Sequence, residues 1–490
     1  MSPVDDVALH AKLDPERLAA HDLTTGERWS YRALDEAIAR HAGALRARGL
    51  EHGDRVAVLA RNRVALVILH HACARTGMIF VPLNWRLSAS ELAALIEDCS
   101  PALLLGDECL EAAGLVGVAL FAFVAEADRT EPLTVDVVDR AAPSLMLYTS
   151  GTSGRPKGVL LSESNLAETA INFGLLGRVT GDAVVLCDAP MFHVIGLVTN
   201  IRPTLMKGGA ILVSDGFVPA RTLERLGDPA LGVTSYFCVP QMAAMLRAEP
   251  TFDPAAFRRL TAVFTGGAPH PETSIRAWLA DDVAIVDGYG MTEAGTVLGM
   301  PIDLAIIEAQ AGSVGVATPR IQIRVVDVQG HGVPPGAAGE LQLRGPSVTS
   351  GYWRRPDDTA AAFTADGWFR SGDIVRVDET GFVRVVDRAK DMFISGGENV
   401  YPAEIECALA GHAGITECAV VGVPDPRWGE VGHLVLVTRD AGIDAQEALA
   451  IVAGKLARYK VPKHVTLVDA LPRNGAGKVL KTALRTMLQS

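Results

Sequence analysis

Lysine is scarce in this sequence: 9 lysines accompany 36 arginines, and six of the nine lie at or after Lys390. Each retained lysine is therefore a weak functional signal, although genome composition and a solvated C-terminal surface explain the bias equally well. Positive charge is also in deficit, because 45 basic against 57 acidic residues give a net charge of −12. This balance argues against a general nucleic-acid binder.

Long hydrophobic runs are missing as well. The most apolar uncharged run, residues 112–125, has 14 residues and is interrupted by Gly114 and Gly117, whereas a membrane-spanning helix needs about 20. The start MSPVDDVALH has neither a basic segment nor an apolar one, so we expect no signal peptide. A hydrophobic content of 49% and a charged content of 21% exclude a mostly disordered chain and are typical of a globular enzyme.

Cysteine pairs at metal or redox spacing are absent too. None of the seven cysteines lies in a CxxC pattern, and their number is odd. We therefore expect reduced thiols in a cytoplasmic protein. The adjacent His70 and His71 have no partner at metal-ligand spacing, and we interpret them as ordinary residues.

The chain has three successive segments with different sequence patterns. Residues 1–311 alternate helical stripes with short apolar strands, which predicts an α/β fold with a parallel or mixed sheet covered by helices. Residues 312–387 contain short alternating runs separated by glycine and proline turns, which predicts a small β-rich unit. Residues 391–490 have the pattern of a compact α+β domain, so residues 388–390 are the predicted hinge.

The strongest motif is YTSGTSGRPKGV, residues 148–159. Its glycines let backbone amides approach an anion, its hydroxyls add donors and Lys157 adds charge, so it predicts a phosphate-binding loop. It is not the GxxxxGK[ST] pattern, because Gly158 follows the lysine. Apolar residues on both sides predict flanking strands. The expected nucleotide contacts are Thr149, Ser150, Gly151, Thr152, Ser153, Gly154 and Lys157.

Eight further motifs follow the loop in order: PMFH at 190–193, GGAP at 266–269, YGMTE at 289–293, GEL at 339–341 with GY at 351–352, SGD at 371–373, DRAKD at 387–391, GGENVYPAEIE at 396–406 and PRNGAGK at 472–478. With them, nearly the whole chain resembles the adenylate-forming superfamily of acyl-CoA and aryl-CoA synthetases, peptide-synthetase adenylation domains and firefly luciferase. The resemblance implies two α/β subdomains and a small β-barrel-like subdomain in residues 1–387, followed by a mobile C-terminal α+β domain.

The resemblance also implies a role for each matching residue. Glu293 would bind Mg²⁺, Thr292 would face the phosphates, and Lys478 would reach the α-phosphate and the attacking carboxylate. The adenosine would lie among Gly267, Ala268, Pro269, Asp287, Gly288, Tyr289, Gly290, Met291, Asp373 and Arg388. The remaining assignments are His193 as a gate to the acyl pocket, Lys390 as the hinge residue, and Ser395, Gly396 and Gly397 beside the pantetheine channel.

The implied reaction uses ATP, Mg²⁺ and coenzyme A: a carboxylic acid becomes an acyl-adenylate and then an acyl-CoA. The candidate acyl-pocket residues besides His193 are uncharged, which favours a hydrophobic monocarboxylate, and they are Ile195, Val198, Phe237, Val239 and Val297. Fatty and aryl or hydroxycinnamic acids stay equally open. So do two alternatives, a ligase that loads a carrier protein and a non-catalytic adenylate sensor. We expect no nucleic-acid partner and no membrane span, and a homodimer stays open.

Overall fold

The computed structural model of the chain describes residues 5–133, 139–149, 156–268, 270–389, 391–395, 398–438, 442–473 and 479–489. The chain divides into two compact units. The first comprises Met1–His270, Ser274–Gln322 and Leu343–Phe369, and the second comprises Pro271–Thr273, Ile323–Gln342 and Arg370–Ser490.

In chain order, the strands are β1 Leu18–Asp22, β2 Arg28–Ser30, β3 Arg55–Leu59, β4 Ile79–Pro82, β5 Leu103–Gly106, β6 Val118–Ala119, β7 Pro143–Thr149, β8 Lys157–Ser162, β9 Val184–Cys187, β10 Ala210–Val213, β11 Ser235–Cys238, β12 Val263–Thr265, β13 Ile285–Met291, β14 Gly295–Gly299, β15 Val316–Ala317, β16 Gln322–Val326, β17 Ala338–Arg344, β18 Gly351–Tyr352, β19 Phe369–Val377, β20 Val383–Arg388, β21 Phe393–Ser395, β22 Glu398–Val400, β23 Ile415–Asp425, β24 Gly429–Thr438 and β25 His464–Leu467.

The helices are α1 Asp6–Leu13, α2 Tyr31–Ala47, α3 Val64–Thr76, α4 Ala89–Cys99, α5 Glu108–Ala112, α6 Leu120–Ala127, α7 Glu163–Leu176, α8 Arg202–Met206, α9 Pro219–Gly227, α10 Pro240–Ala248, α11 Glu272–Leu279, α12 Leu304–Ala309, α13 Pro356–Ala362, α14 Pro402–Leu409, α15 Ala445–Lys455 and α16 Lys481–Gln489. A π-helical segment, Ile195–Thr199, and two 3₁₀ segments, Pro254–Phe257 and Arg458–Lys460, complete the regular structure of the described residues.

Two mixed sheets form the first unit. The nine-stranded sheet has the order β15-β14-β13-β12-β11-β9-β10-β1-β2, with parallel strands from β13 to β1 and antiparallel strands at both edges. The seven-stranded sheet has the order β18-β8-β7-β4-β3-β5-β6, in which β8 and β18 are antiparallel to their neighbours. The carboxyl ends of parallel strands meet at one edge of a sheet, which is where ligands bind in α/β proteins.

The helices of this unit follow from their sequence patterns. In α2 the stripe that includes Leu34, Ile38 and Leu45 is fully buried, and the Ser30 side chain caps the first turn by accepting from the N–H of Ala33. Helix α3 is buried along most of its length and ends at Gly77 in a left-handed conformation, as the glycine after the apolar run predicted.

The second unit contains two smaller sheets. One has the order β16-β17-β19-β20. The other has the order β22-β21-β24-β23 with β25 added parallel to β24, and α14 and α15 pack against its core. The α/β fold class with a separate C-terminal α+β unit is confirmed, whereas the bounds at 387 and 391 stay a prediction. Among the described residues, no helix combines the length and apolar character needed to span a membrane.

Candidate active site

The predicted phosphate loop connects two paired strands. Strands β7 and β8 are antiparallel, and their last pair is Thr149 opposite Lys157. The predicted contacts Ser150, Gly151, Thr152, Ser153 and Gly154 lie outside the described residues. The strands therefore fix where the segment begins and ends, and they place Lys157 at the start of β8.

Lys157 already has two partners within the first unit. Its Nζ forms an ion pair with the Asp358 carboxylate at the start of α13. The same Nζ lies 5.1 Å from the centroid of the Tyr352 ring, a cation–π distance. The Lys157 side chain is 15% exposed, so its amine is confined but still reachable from solvent.

Glu293, the predicted metal ligand, is held close to the same tyrosine. It lies in the turn between β13 and β14 and is 8% exposed. The Tyr352 hydroxyl donates to Glu293 Oε1 at 3.1 Å, and the Thr349 N–H donates to the Glu293 carbonyl at 2.7 Å. Burial, followed by the nearby carboxylate of Glu293, raises the pKa of Tyr352. The structure thus links two predicted residues through Tyr352, which the sequence marked only as part of a GY motif.

The predicted adenine site lies at the ends of β12 and β13. Tyr289 is half-buried in β13, and its hydroxyl donates to Met291 Sδ at 3.9 Å. Gly267 has a φ of +81°, a conformation that glycine adopts without strain. Ala268 is exposed, and Pro269 lies outside the described residues. An aromatic face therefore lies at the end of the same sheet as the turn of Gly267.

Asp287, next to the predicted adenine site, is a buried carboxyl. Its Oδ1 accepts from the Thr265 hydroxyl at 3.2 Å and from the N–H of Gly288 at 3.1 Å. Burial raises the pKa of Asp287 to about 8, against which these two hydrogen bonds act. The carboxyl is therefore largely protonated at neutral pH and can donate as well as accept a hydrogen bond. The sequence, which suggested only backbone contacts here, contained no signal for this protonation.

The PMFH segment is fixed by Asn62, which lies in the connection between β3 and α3. The Asn62 side chain donates to the Ala189 carbonyl at 2.8 Å and accepts from the Met191 N–H at 2.9 Å. His193 follows, with its ring edge-on to Phe192 at 4.6 Å. Burial, with a smaller contribution from Arg86, lowers the pKa of His193 to about 4. The imidazole is therefore neutral at pH 7.

Some of the predicted acyl-pocket residues come together and others do not. A Cβ placed on Gly267 would lie 3.2 Å from Ile195 Cδ1 and 3.9 Å from Val239 Cγ1, so these three residues surround one small space. Ile195 and Val239 are half-buried, as is Phe237. The two remaining residues, Val198 and Val297, have no exposed surface and belong to the core.

Phe237 belongs to an aromatic cluster with Phe173 and Phe264. Its ring centroid lies 5.7 Å from that of Phe173 and is stacked at 6.4 Å on that of Phe264, and the latter two are 5.1 Å apart. Such distances are typical of interacting aromatic pairs. The sequence did not predict the cluster, because its members lie on α7, β11 and β12.

The predicted ribose contacts belong to the second unit, where they are paired. Asp373 and Arg388 are opposite each other on β19 and β20, and Arg388 Nε lies 2.6 Å from Asp373 Oδ1. Asp373 is 2% exposed, and its N–H donates to Ser371 Oγ at 3.0 Å. Gly372, which lies between Ser371 and Asp373 in β19, has a φ of +69°, a conformation that glycine adopts without strain.

The other predicted positions of the second unit are less defined. Ser395 is buried in β21 and pairs with Gly429 of β24. Lys390, Gly396, Gly397 and Lys478 lie outside the described residues. The predicted hinge, pantetheine channel and catalytic lysine therefore stay predictions.

The ordered motifs and the fold together indicate the class of adenylate-forming enzymes. A family model described as "AMP-binding enzyme" matches residues 7–353, and one described as "AMP-binding enzyme C-terminal domain" matches residues 404–478. The chain belongs to the AMP-binding enzyme family. The resemblance stated from the motifs is confirmed.

Curated relatives match nearly the whole chain. A feruloyl-CoA synthase from Amycolatopsis is 40% identical over 97% of this chain and 96% of its own length. An indoleacetate–CoA ligase from Aromatoleum aromaticum is 38% identical over 98% and 96%, and the long-chain-fatty-acid–CoA ligase FadD13 from Mycobacterium tuberculosis is 33% identical over 97% and 96%. The ATP-bound crystal structure of MatB from Rhodopseudomonas palustris aligns with a TM-score of 0.89, 33% identity and 99% coverage of both chains. The prediction of an AMP-forming acid–CoA ligase is confirmed.

Proposed function

We propose that this enzyme activates a flat aromatic monocarboxylic acid with ATP and transfers the acyl group to coenzyme A. The observation that carries the proposal is the aromatic cluster of Phe173, Phe237 and Phe264. A Cβ placed on Gly266, the neighbour of Gly267, would lie 3.4 Å from Phe237 Cζ, so the cluster reaches the predicted acyl-pocket residues. Stacked and edge-on aromatic contacts add to the burial energy of a ring but not to that of an alkyl chain. The identities to feruloyl-CoA synthase and indoleacetate–CoA ligase support the same substrate class.

In the proposed first step, a carboxylate oxygen of the acid attacks the α-phosphorus of ATP. The bond to the bridging oxygen breaks, and pyrophosphate leaves. Lys157 would hold the phosphates, Thr292 would donate to them, and Lys478 would offset the charge that develops between the carboxylate and the α-phosphate. Preorganised donors of this kind are the largest contribution to many enzymatic rate enhancements.

Magnesium fits the donors in the first unit. Glu293 supplies a buried carboxylate and Thr292 a neighbouring hydroxyl, and oxygen ligands are those that Mg²⁺ prefers, typically with one or two protein carboxylates. When bound, the ion would neutralise part of the charge on the leaving pyrophosphate. Glu293 is the residue that we propose as its ligand.

In the proposed second step, the thiol sulfur of coenzyme A attacks the acyl carbonyl carbon, and AMP leaves with the C–O bond electrons. The family pattern implies that pantetheine passes Ser395, Gly396 and Gly397, and that the C-terminal unit turns about residues 388–390. The seven cysteines are free thiols, which supports a reducing compartment, and we propose the cytoplasm.

Separate assays of the two half-reactions test this function. The wild-type enzyme should release pyrophosphate with aryl acids and form their thioesters only when coenzyme A is present. Lys478→Ala should lose adenylation by roughly 10²–10³-fold while still converting supplied acyl-adenylate, and Gly397→Leu should show the opposite pattern. Equal loss of both half-reactions in Lys478→Ala would contradict the assignment of that lysine.

The substrate class needs its own control. Phe237→Ala should lower kcat/KM for aryl acids by roughly tenfold and change that for fatty acids less. Phe363→Leu, which alters an aromatic pair with Phe369 that includes no predicted site residue, should change neither. A higher kcat/KM for long-chain fatty acids, the substrates named for FadD13, than for aryl acids would overturn the proposed aromatic substrate. The assignment as an acid–CoA ligase would still stand. Thioester formation on a carrier protein but not on coenzyme A, or no turnover at all, would instead favour the carrier-loading or sensor alternatives.

A further inference from the structure

One tyrosine contacts both the proposed phosphate lysine and the proposed metal ligand. Tyr352 lies in β18, which pairs antiparallel with β8 so that Tyr352 is opposite Val159. Lys157 is two residues away along β8, which is the diagonal position that a long side chain reaches across a strand pair. The register of this pair therefore brings the Tyr352 ring against the Lys157 amine at 5.1 Å.

The pairing of β18 is held by several hydrogen bonds around it. The Thr349 hydroxyl donates to the Leu160 carbonyl at 2.5 Å, and the Trp353 N–H donates to the Gly158 carbonyl at 2.8 Å. The N–H of Tyr352 donates to the hydroxyl of Thr359 in α13 at 3.0 Å. The backbone on both sides of Tyr352 is thus fixed, and its side chain can orient other groups.

The hydroxyl of Tyr352 orients the Glu293 carboxylate. A carboxylate can only accept, so the phenol donates its proton to Oε1 at 3.1 Å. Hydrogen bonds to charged groups are among the stronger ones in proteins. Glu293 is 8% exposed, so rotation away from this donor would leave the carboxylate with one fewer buried partner.

Asp358 completes the cluster on the other side of the lysine. It pairs with Lys157 and is 39% exposed, so this ion pair stabilises little and can exchange. Phosphate oxygens that approach Lys157 would replace the carboxylate of Asp358. The aromatic face would continue to hold the amine in place during that exchange.

We propose that Tyr352 is a positioning residue for metal–ATP binding: its hydroxyl aims Glu293 at the metal, and its ring holds Lys157 at the phosphates. This inference rests on the proposed function, because it requires ATP and Mg²⁺ at these two residues. It assigns to Tyr352 no contact with the reacting atoms. The proposal has two parts, one for the hydroxyl and one for the ring. They predict different consequences when the hydroxyl alone, or the whole ring, is removed.

Isothermal titration calorimetry of ATP binding without a carboxylic acid tests the proposal on the full chain. Tyr352→Phe keeps the ring and removes the hydroxyl, so the Mg²⁺ concentration that half-saturates ATP binding should rise roughly tenfold, while ATP affinity in excess EDTA stays unchanged. Tyr352→Leu should also weaken ATP binding in EDTA. Asp358→Asn should strengthen ATP binding in EDTA slightly, because Lys157 then has no carboxylate partner that the phosphates must replace.

A matched control is Tyr236→Phe in β11 of the other sheet. The Tyr236 hydroxyl also donates to a carboxylate, Asp188 Oδ1 at 3.0 Å, but neither residue is a proposed site residue. Its loss should leave the Mg²⁺ dependence unchanged. If Tyr352→Phe, folded as judged by its thermal melting, shows the wild-type Mg²⁺ dependence, the positioning role is overturned while the proposed function stands. If the wild-type enzyme binds no ATP with or without Mg²⁺, the proposed function fails and this inference fails with it.

Discussion

Strand β8 has a charged cluster at each end, and the two clusters differ in their access to solvent. At its first residue, Lys157 pairs with Asp358, whose side chain is 39% exposed. Directly after its last residue, Glu163 pairs with Arg202, and their side chains are 13% and 3% exposed. The Lys157–Asp358 pair lies beside the proposed phosphate site. The Glu163–Arg202 pair is buried where α7 and α8 begin.

The buried cluster joins more polar side chains than the open one, although His70 Nε2 and Arg202 Nε have no hydrogen-bond partner among the described residues. Ser144 donates to Glu163 Oε1 at 2.8 Å, and Arg202 Nη1 lies 3.2 Å from His71 Nε2. Because arginine can only donate, His71 Nε2 must accept, and its Nδ1–H then donates to the Val67 carbonyl at 2.9 Å. Burial raises the pKa of Glu163, but Arg202 above all reverses this and lowers it to about 2.

The difference indicates what each cluster does. A charged group whose partner is partly exposed to solvent can exchange that partner for a ligand at a small cost in free energy. A charge whose partners are all buried cannot, because its removal leaves an uncompensated ion inside the protein. We therefore propose that one end of β8 binds a ligand and that the other end fixes α7 and α8 against the sheet.

Disruption of the buried ion pair between Glu163 and Arg202 should have the largest effect on stability. Arg202→Met leaves Glu163 buried without its main partner, and we expect the free energy of unfolding to fall by about 3–5 kcal/mol. Urea unfolding of wild type, both single variants and the double variant Glu163→Leu/Arg202→Met measures the coupling. The double variant should recover much of the loss, because an apolar pair replaces the ion pair. Additive losses would show that the two side chains act independently.

Disruption of the exposed ion pair between Lys157 and Asp358 should lower activity and leave stability nearly unchanged. We expect Lys157→Met to lower the rate of pyrophosphate release by about 10²–10³-fold, because a donor to the phosphates is lost, with a change in thermal midpoint of no more than about two degrees. The comparison fails if Lys157→Met unfolds as readily as Arg202→Met. It also fails if Arg202→Met, at a temperature where it is folded, loses as much activity as Lys157→Met.

The local elements of this site could be predicted from the sequence. The apolar residues 145–148 and 159–161 predicted the strands on either side of the phosphate loop, and they lie in β7 and β8. The strand signal is strong because each segment alternates or is wholly apolar and ends at a glycine-rich turn. Helix α14 begins at Pro402, the first helical position that proline favours.

The contacts between distant segments could not be predicted. Tyr352 and Glu293 are 59 residues apart, and their contact depends on the register of the two-residue strand β18, which is too short to give a periodic signal. His70 and His71 had no partner at metal spacing in the sequence. Their polar neighbours in the structure, Glu163 and Arg202, come from α7 and α8, and no local pattern encodes that packing.

The smallest expected effect concerns the acid sensitivity of the buried end. His70 is 1% exposed, stacks on Phe80 and faces Glu163 at 3.8 Å, with Arg202 and His71 nearby. Burial above all lowers the pKa of His70, which Glu163 opposes and Arg202 and His71 reinforce, and the net result is a pKa of about 3. Below pH 6.5 the unfolded chain therefore binds a proton at this residue that the native state does not. The free energy of unfolding must fall as the pH falls through this range.

The size of this effect follows from one proton. Between about pH 5 and pH 6.5, where Glu163 stays ionised in both states, His70→Phe should reduce the slope of unfolding free energy against pH by up to about 1.4 kcal/mol per pH unit. Urea unfolding at several pH values measures the slope, and other buried histidines contribute equally to both proteins. His331→Gln, at a side chain that is 81% exposed, is the control and should leave the slope unchanged. An unchanged slope in His70→Phe would mean that His70 takes up its proton without unfolding, so that this end of β8 is open to water like the other.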